Sequence, residues 1–593
     1  MTLSRTRWIA AAGVVAVSLT LSACSAGGGG GAGAPSKAGS GAKDRKSIAT
    51  VSQIAVGTKA DSQGPAAPEP GAKKGGTVHM IGRDDFSHLD PQRIYLNYNA
   101  NASLLFTRQL TGYKDTSGGK VLVGDLATDT GTTTDGGKTW SFTLKDGLSW
   151  QDGSSITSAD IRHSFERSFA DFITEGPTYA QTWLAGPDYR KAYPGPYKGK
   201  HLKAIKTPDD KTIIFTLKEA HPDFNFTVAM TGYGAVPKAH DTAGKYDKKP
   251  FSSGPYEIVS HVTDKSMTLR RNPHWDPATD PIRNAYPDSW EMEFGVQALQ
   301  STDRFIADTG SDKTAMSLSN GVASERVQST LSDAALMKRS IQGLTPFTTF
   351  YNINTKRITD VKVRQALVKA FPLQQIRQVE GGPTVGDFAS TVMSPTVSGY
   401  TAFDLYGKKT KPQGDPEGAK ALLEQAGKVG QKVVYAYNQT PTQEKVTVAI
   451  KTALEKAGFT VVAKPLNATT YYDATGKVDN PYDLYWGGWA ADWPTGSTAI
   501  QPLFDGRQIA DGASNYAHFN DAAVNQAIDA ANAVKDPVEA GKAWAAVDRQ
   551  IMQAAPIIPE FYSRTFGLYG SGLGGVRLDP LQGEASPLNV YVK

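Results

Sequence analysis

The chain has 593 residues, 39% of them apolar and ten of them tryptophan, enough to fill two or more packed lobes and too hydrophobic to remain disordered. Its net charge of +5 is concentrated at the start, where nine Lys/Arg and three Asp/Glu precede Gly75, leaving about −1 for the rest. Phosphate binding needs a basic face on the folded part, so the charge pattern argues against a nucleic-acid partner. The only cysteine, Cys24, rules out a disulfide within the chain.

The first residues have the form of an export signal: Arg5 and Arg7, then an apolar run from Trp8 to Leu21 that is too short to span a bilayer. It ends in Leu21-Ser22-Ala23-Cys24, which resembles the lipobox of bacterial lipoproteins. The resemblance implies that residues 1–23 are removed and that the Cys24 thiol carries diacylglycerol, making membrane attachment a matter of lipid. Residues 24–74, opening with Gly27 to Gly31 and rich in Gly, Ala, Ser and Pro, read as a flexible tether. As a random coil it would reach about 40 Å.

From Gly75 the pattern becomes α/β. A strand-rich region with Asp-Gly turns at Asp146-Gly147 and Asp152-Gly153 starts near Trp140. Thr157 and Asp160 make a capping box for a helix that turns Ile161, Phe165 and Phe169 to one face. Asp360 caps a second helix with Val363, Leu367, Ala370 and Phe371 inward. Asp415-Pro416 starts a third, and Gly427 ends it. A strand over 433–437, a helix carrying Val446, Ile450 and Leu454, and a strand from Phe459 form a βαβ unit, which predicts a covered, largely parallel sheet.

Catalytic motifs are scarce. The nine histidines never recur at four-residue spacing, there is no G-x-S-x-G elbow and no Walker loop, and Gly75-Gly76 precedes a strand rather than a helix. The expectation is therefore no enzyme, no cofactor and no metal site.

Five stretches together resemble one family, the extracytoplasmic solute-binding proteins of ABC importers, in the large class (family 5) that includes oligopeptide and dipeptide binders. They are KKGGTVHMIGRDDFSHLDPQ with Leu89-Asp90-Pro91, WSFTLKDGLSWQDGSSITSADIRHSFER, SSGPYEIVSHVTDKSMTLRRNPHW, FYNINTKRITDVKVRQALVKAF and YWGGWAADWP at 485–494. The resemblance implies an α/β, two-lobed, hinged fold of the type II periplasmic-binding-protein kind with an inserted third subdomain. Lobe I would comprise 75–118, 249–345 and 565–593, the insertion 119–248 and lobe II 346–564. It also implies a monomeric receptor that hands a peptide to an ABC permease driven by its own ATPase subunits.

The stretch at 485–494 packs four aromatics, two glycines and one carboxylate into ten positions. Tyr482, Leu484 and Trp486 are expected on one strand face and Tyr485 on the other. A peptide lying along Gly488 to Ala490 could pair with main-chain groups whatever its side chains. In oligopeptide-binding relatives the aspartate of this motif holds the peptide α-ammonium, so the resemblance gives Asp492 that role, with Trp489 and Trp493 facing ligand. Tyr95, Leu96, Asn97 and Tyr98, shortly after Leu-Asp-Pro, would line the opposite side of the cleft. Where some oligopeptide binders carry an arginine for the ligand carboxylate, this chain has Trp486. An oligosaccharide is the alternative ligand, since aromatic stacking and a carboxylate suit sugar as well.

Overall fold

The computed structural model describes residues 55–117, 119–467 and 470–593. The signal, Cys24 and the tether up to residue 54 lie outside the described residues. Two lobes, each built on its own sheet, are joined by two long crossing strands, and a third, smaller sheet forms an added subdomain.

The first lobe is built on five strands in the spatial order Ala315–Ser317, Thr77–Ile81, Ser289–Glu293, Ser266–Arg271 and Tyr256–Val262. Val78, Leu269, Trp290 and Met316 fill its core. The added subdomain pairs Thr139–Thr143, Thr212–Thr216 and Ile205–Lys206. Its sheet packs Trp140, Phe142 and Phe215 against Phe165 of the helix Ser158–Arg167. That helix starts as its sequence requires, the Thr157 backbone N–H donating to Asp160 Oδ2 at 3.0 Å.

Arg167 near the end of the same helix explains the Leu-Asp-Pro segment. Its two terminal nitrogens donate to Asp90 Oδ1 and Oδ2 at 2.7 and 2.6 Å, a bidentate pair buried between the first lobe and the subdomain.

The second lobe is built on six strands in the order Gly386–Phe388, Ile557–Leu568, Ser340–Ile353, Leu484–Ala490, Lys432–Asn438 and Thr460–Leu466. Helices cover both faces, with Tyr351, Leu367, Leu423 and Ile450 packed on one side and Ile500, Phe504, Trp544 and Ile551 on the other. The caps expected for two of these helices form: Asp360 Oδ1 accepts from the Lys362 N–H at 2.8 Å, and Asp415 Oδ1 from the Gly418 N–H at 3.2 Å. Gly427 closes the latter helix at φ 64°, where a side chain would be strained.

Two expectations are corrected. The sheet is mixed rather than largely parallel: only the βαβ pair and its neighbour Leu484–Ala490 run parallel, and the other three pairings are antiparallel. The cause is the crossing of the lobes. Ser340–Ile353 leads into the second lobe and Ile557–Leu568 leads back, so these neighbours must run in opposite directions. Their register breaks between Leu344 and Thr348, around Pro346, which has no N–H to give to a ladder.

Residues 55–74, expected as part of a flexible tether, instead lie against the fold. Ala55–Val56 pairs in parallel with Gly119–Gly124, and the buried Ser62 hydroxyl accepts from the Gly124 N–H at 2.9 Å. These contacts run through backbone and single polar atoms, and such a segment carries no hydrophobic period to read.

Candidate functional site

The strand Leu484–Ala490 is paired along its whole length with Ser340–Ile353 on one edge. On the other edge Lys432–Asn438 pairs only with Leu484 and Tyr485. From Trp486 to Ala490 that second edge pairs with no strand among the described residues, though the Trp486 carbonyl accepts from the Tyr471 hydroxyl at 3.1 Å, and Trp486 and Gly488 line the opening between the lobes.

Side-chain alternation sorts the aromatics here. Leu484 and Trp486 face the second-lobe core beside Tyr351, whereas Tyr485 faces the opposite side and donates to the Tyr516 carbonyl at 2.5 Å. Tyr482, expected beside Trp486, packs with Tyr485 instead, because it precedes the strand and is outside its alternation. A Cβ at Gly487 would approach Nδ2 of the buried Asn352 to 2.7 Å, so this glycine serves internal packing. At Gly488 nothing within the protein comes nearer than 3.5 Å, and the missing side chain leaves room on the cleft side.

A cavity of about 90 Å³ lies where this strand meets the first lobe. Tyr95 and Asn97 line it from one side and Ala490 and Asp492 from the other. Asn97 Nδ2 donates to the Gln582 carbonyl at 2.9 Å, which fixes its position on the wall.

Asp492 is half-buried and borders this cavity. Its Oδ2 accepts from the Tyr179 phenol at 2.5 Å, and the Tyr95 phenol lies against the same carboxyl. Burial pushes the Asp492 carboxyl up to about 6, against the opposing pull of the two phenols. No cation is paired with it among the described residues.

The two cations on the same wall are already engaged. Lys120 Nζ holds Asp115 and Asp579, each at 2.9 Å, and Arg283 holds Asp125 and Asp280 at 2.9 and 3.1 Å. The cavity thus offers one carboxylate without a counter-charge, a site suited to an ammonium group.

The other expected residues sit differently. Trp493 is 2% exposed and stacks edge-on with Tyr179 and Trp183 of the three-stranded subdomain, its Nε1 donating to Asp223 at 2.9 Å. Trp489 donates from Nε1 to the Thr498 carbonyl at 2.7 Å and packs on its own lobe. Leu96 is exposed and borders none of the cleft cavities, and Tyr98 turns into the first lobe, where its hydroxyl donates to the Asp85 carbonyl at 3.2 Å. Sequence reading missed Tyr113 and Gln582, which line the cavity, Tyr179, which donates to Asp492, and Asp223, which accepts from Trp493, all on segments far away in the chain. Among the described residues no group of three His, Cys, Asp or Glu side chains is placed to hold a metal ion.

A two-lobed α/β fold with a solute-sized opening at the lobe boundary defines a binding protein. The chain belongs to the bacterial extracellular solute-binding proteins, family 5, whose model matches residues 121–511. Among solved structures it is similar to the clavulanic acid biosynthesis oligopeptide binding protein 2, at 30% identity and a TM-score of 0.82, covering 92% of this chain and 100% of that one. It is 26% identical to the periplasmic oligopeptide-binding protein OppA of Salmonella typhimurium, over 77% of this chain and 81% of that protein. It is 24% identical to the probable deoxycholate-binding periplasmic protein YgiS of Escherichia coli, over 77% and 83% respectively.

Proposed function

We propose that this protein is a lipid-anchored, monomeric extracytoplasmic receptor that captures peptides between its lobes and delivers them to an ABC permease. The relatives are named for ligands as different as peptides and a bile acid, so the ligand class has to come from the site. The observation that carries the peptide reading is Asp492: a half-buried carboxyl without a cation among the described residues, just past a strand whose outer edge pairs with no other strand from Trp486 to Ala490. A peptide laid along that edge would pair main chain with main chain and put its α-ammonium at Asp492. Tyr95, Asn97, Gly488 and Ala490 would shape the walls. The oligosaccharide alternative loses the two tryptophans expected to stack on a sugar, since Trp489 and Trp493 are both turned into protein contacts.

The same reading assigns 75–118, 249–345 and 565–593 to lobe I, 119–248 to the insertion and 346–564 to lobe II. The two crossing strands, with their register break at Pro346, support a hinge there. Membrane attachment would come from lipid on Cys24.

The test is to purify the protein, release its contents under denaturing conditions and weigh them. A ladder of short peptides is the expected result. Hexose-spaced masses would move the cleft to oligosaccharides.

A further inference from the structure

Beyond the ammonium site, the opening between the lobes holds a second cavity, of about 320 Å³. Trp486 and Gly488 form its second-lobe wall together with Tyr472 and Phe347, which are 50% and 38% exposed. Glu584, from the C-terminal segment, forms the opposite wall. Gln582 borders this cavity, the Asp492 cavity and a smaller one between them, so the three lie in one run along the cleft.

The chemistry of this wall is one-sided. Glu584 is its single charged residue, and the rest is aromatic rings, small residues, hydroxyls and an amide. Among the described residues the Glu584 carboxylate has no ion-pair or hydrogen-bond partner, and burial alone pushes it up to about 8. A second carboxyl stands behind the aromatic wall: Trp486 Nε1 donates to Glu560 Oε2 at 2.9 Å, while Glu560 Oε1 is buried without a partner. The nearby arginines point elsewhere, Arg564 to Asp387 and Arg377 over the Phe388 ring. A cavity with aromatic faces, an unpaired carboxyl and no cation favours a positively charged, planar or alkyl guest, whose charge would draw the proton off Glu584 as it binds.

We propose that this cavity is a subsite for a cationic side chain of the ligand, a guanidinium or an alkylammonium, with Glu584 as its counter-charge and Trp486, Tyr472 and Phe347 as its walls. The assignment rests on the peptide reading and narrows it to peptides with a basic residue close to the N-terminus. Gly488, on this wall, and Asp492 are four residues apart on one chain, a span of about 13 Å if extended. A ligand whose ammonium meets Asp492 therefore brings the side chain of one of its first residues to Glu584.

The experiment is calorimetric titration of the full-length chain with four alanine tetrapeptides, each carrying one arginine at a different position, and with their four citrulline counterparts. Citrulline keeps the shape and loses the charge. At one position the arginine peptide should bind about ten-fold more tightly than its counterpart, and Glu584→Gln should bring that ratio close to one. Equal affinities across all four pairs in the wild type would overturn the subsite and leave the peptide reading intact. An arginine preference that persists in Glu584→Gln would overturn the assignment to Glu584. If no tetrapeptide binds, the peptide reading fails, and agmatine against N-carbamoylputrescine then decides the subsite. A Glu584-dependent preference for agmatine sustains it, and the lack of one ends it.

Discussion

Tyr179 of the three-stranded subdomain and Asp492 of the second lobe meet across the cleft, phenol to carboxyl Oδ2 at 2.5 Å. The contact does two things: it ties the parts of the molecule together where ligand would enter, and it stabilises a carboxylate that its surroundings would otherwise neutralise.

The first prediction concerns that balance. A ligand ammonium favours ionised Asp492, whose carboxyl stands near 6. The phenols facing it, Tyr95, Tyr179 and Tyr233, are all held above the ordinary tyrosine range by burial, so none of them titrates near neutrality. Peptide affinity should therefore be highest near pH 7, fall as pH drops through 6 with a proton taken up on ligand release, and fall again above about 8 as the peptide α-amino group loses its proton. Tyr179→Phe removes a donor to the carboxylate and should move that midpoint upward. Asp492→Ala should weaken binding about ten-fold or more and abolish the pH dependence. Without ligand the sign reverses: a carboxyl raised above its unfolded value of about 3.9 favours the folded state as pH falls from 6 towards 4. Calorimetry between pH 5 and 8 on the three proteins checks the binding part, and chemical unfolding over pH 4 to 7 checks the rest.

Asp223 is the second interlobe contact. It stands in the three-stranded subdomain and accepts from Trp493 Nε1 at 2.9 Å and from the Ser497 hydroxyl at 2.6 Å, both in the second lobe. Asp223→Ala leaves these donors without their acceptor and should shift the population towards an open form. The expected outcome is a larger radius of gyration in small-angle scattering without ligand and a red-shifted Trp493 emission, with peptide affinity down by about five-fold. An unchanged scattering profile would mean that this contact does not hold the lobes together.

Cys24 carries a prediction of its own. If the Leu-Ser-Ala-Cys segment is a lipidation signal, cells expressing the full chain should incorporate labelled fatty acid into it, and Cys24→Ser should abolish that incorporation. Label retained in the variant would place the acyl group elsewhere.

What could be read in advance follows the range of the interaction. Helix starts at Thr157, Asp360 and Asp415 were legible because a cap and its first turn lie within four residues. The meeting of Asp492 with Tyr95 and Asn97 around one cavity rested on family resemblance, not on anything local to either segment. Tyr179, Asp223 and Glu584 were not legible, since their contacts depend on how separate sheets dock, and no spacing in the chain encodes that. The orientation of Trp489 and Trp493 was likewise decided by tertiary partners, the Thr498 carbonyl and Asp223. The antiparallel half of the second-lobe sheet was missed because the βαβ pattern is local, whereas the two crossing strands lie about 200 residues apart.

The last prediction is about stability and uses a cluster that borders the site from below. Asp125 accepts from Arg108 Nε at 2.7 Å and from Arg283 Nη2 at 2.9 Å, and all three side chains are at most 2% exposed. Lys145 reaches the Asp125 carbonyl at 2.7 Å and is pushed down to about 8, chiefly by burial and then by Arg108. The cluster thus sets three cations against two carboxylates, Asp125 and Asp280, and Asp125 makes the shorter contacts to both arginines. Asp125→Ala leaves two buried arginines and the half-buried Lys145 against Asp280 alone, and a buried charge left without its partner costs about 3–5 kcal/mol. The exposed pair Lys191–Asp188, at 3.1 Å and with both side chains more than three-quarters exposed, provides the control. Its loss through Asp188→Ala should leave the urea midpoint where it was. A large drop for Asp125→Ala beside no change for Asp188→Ala would establish the cluster as the anchor of the first-lobe wall. Similar midpoints would show that water or a local shift compensates the buried arginines.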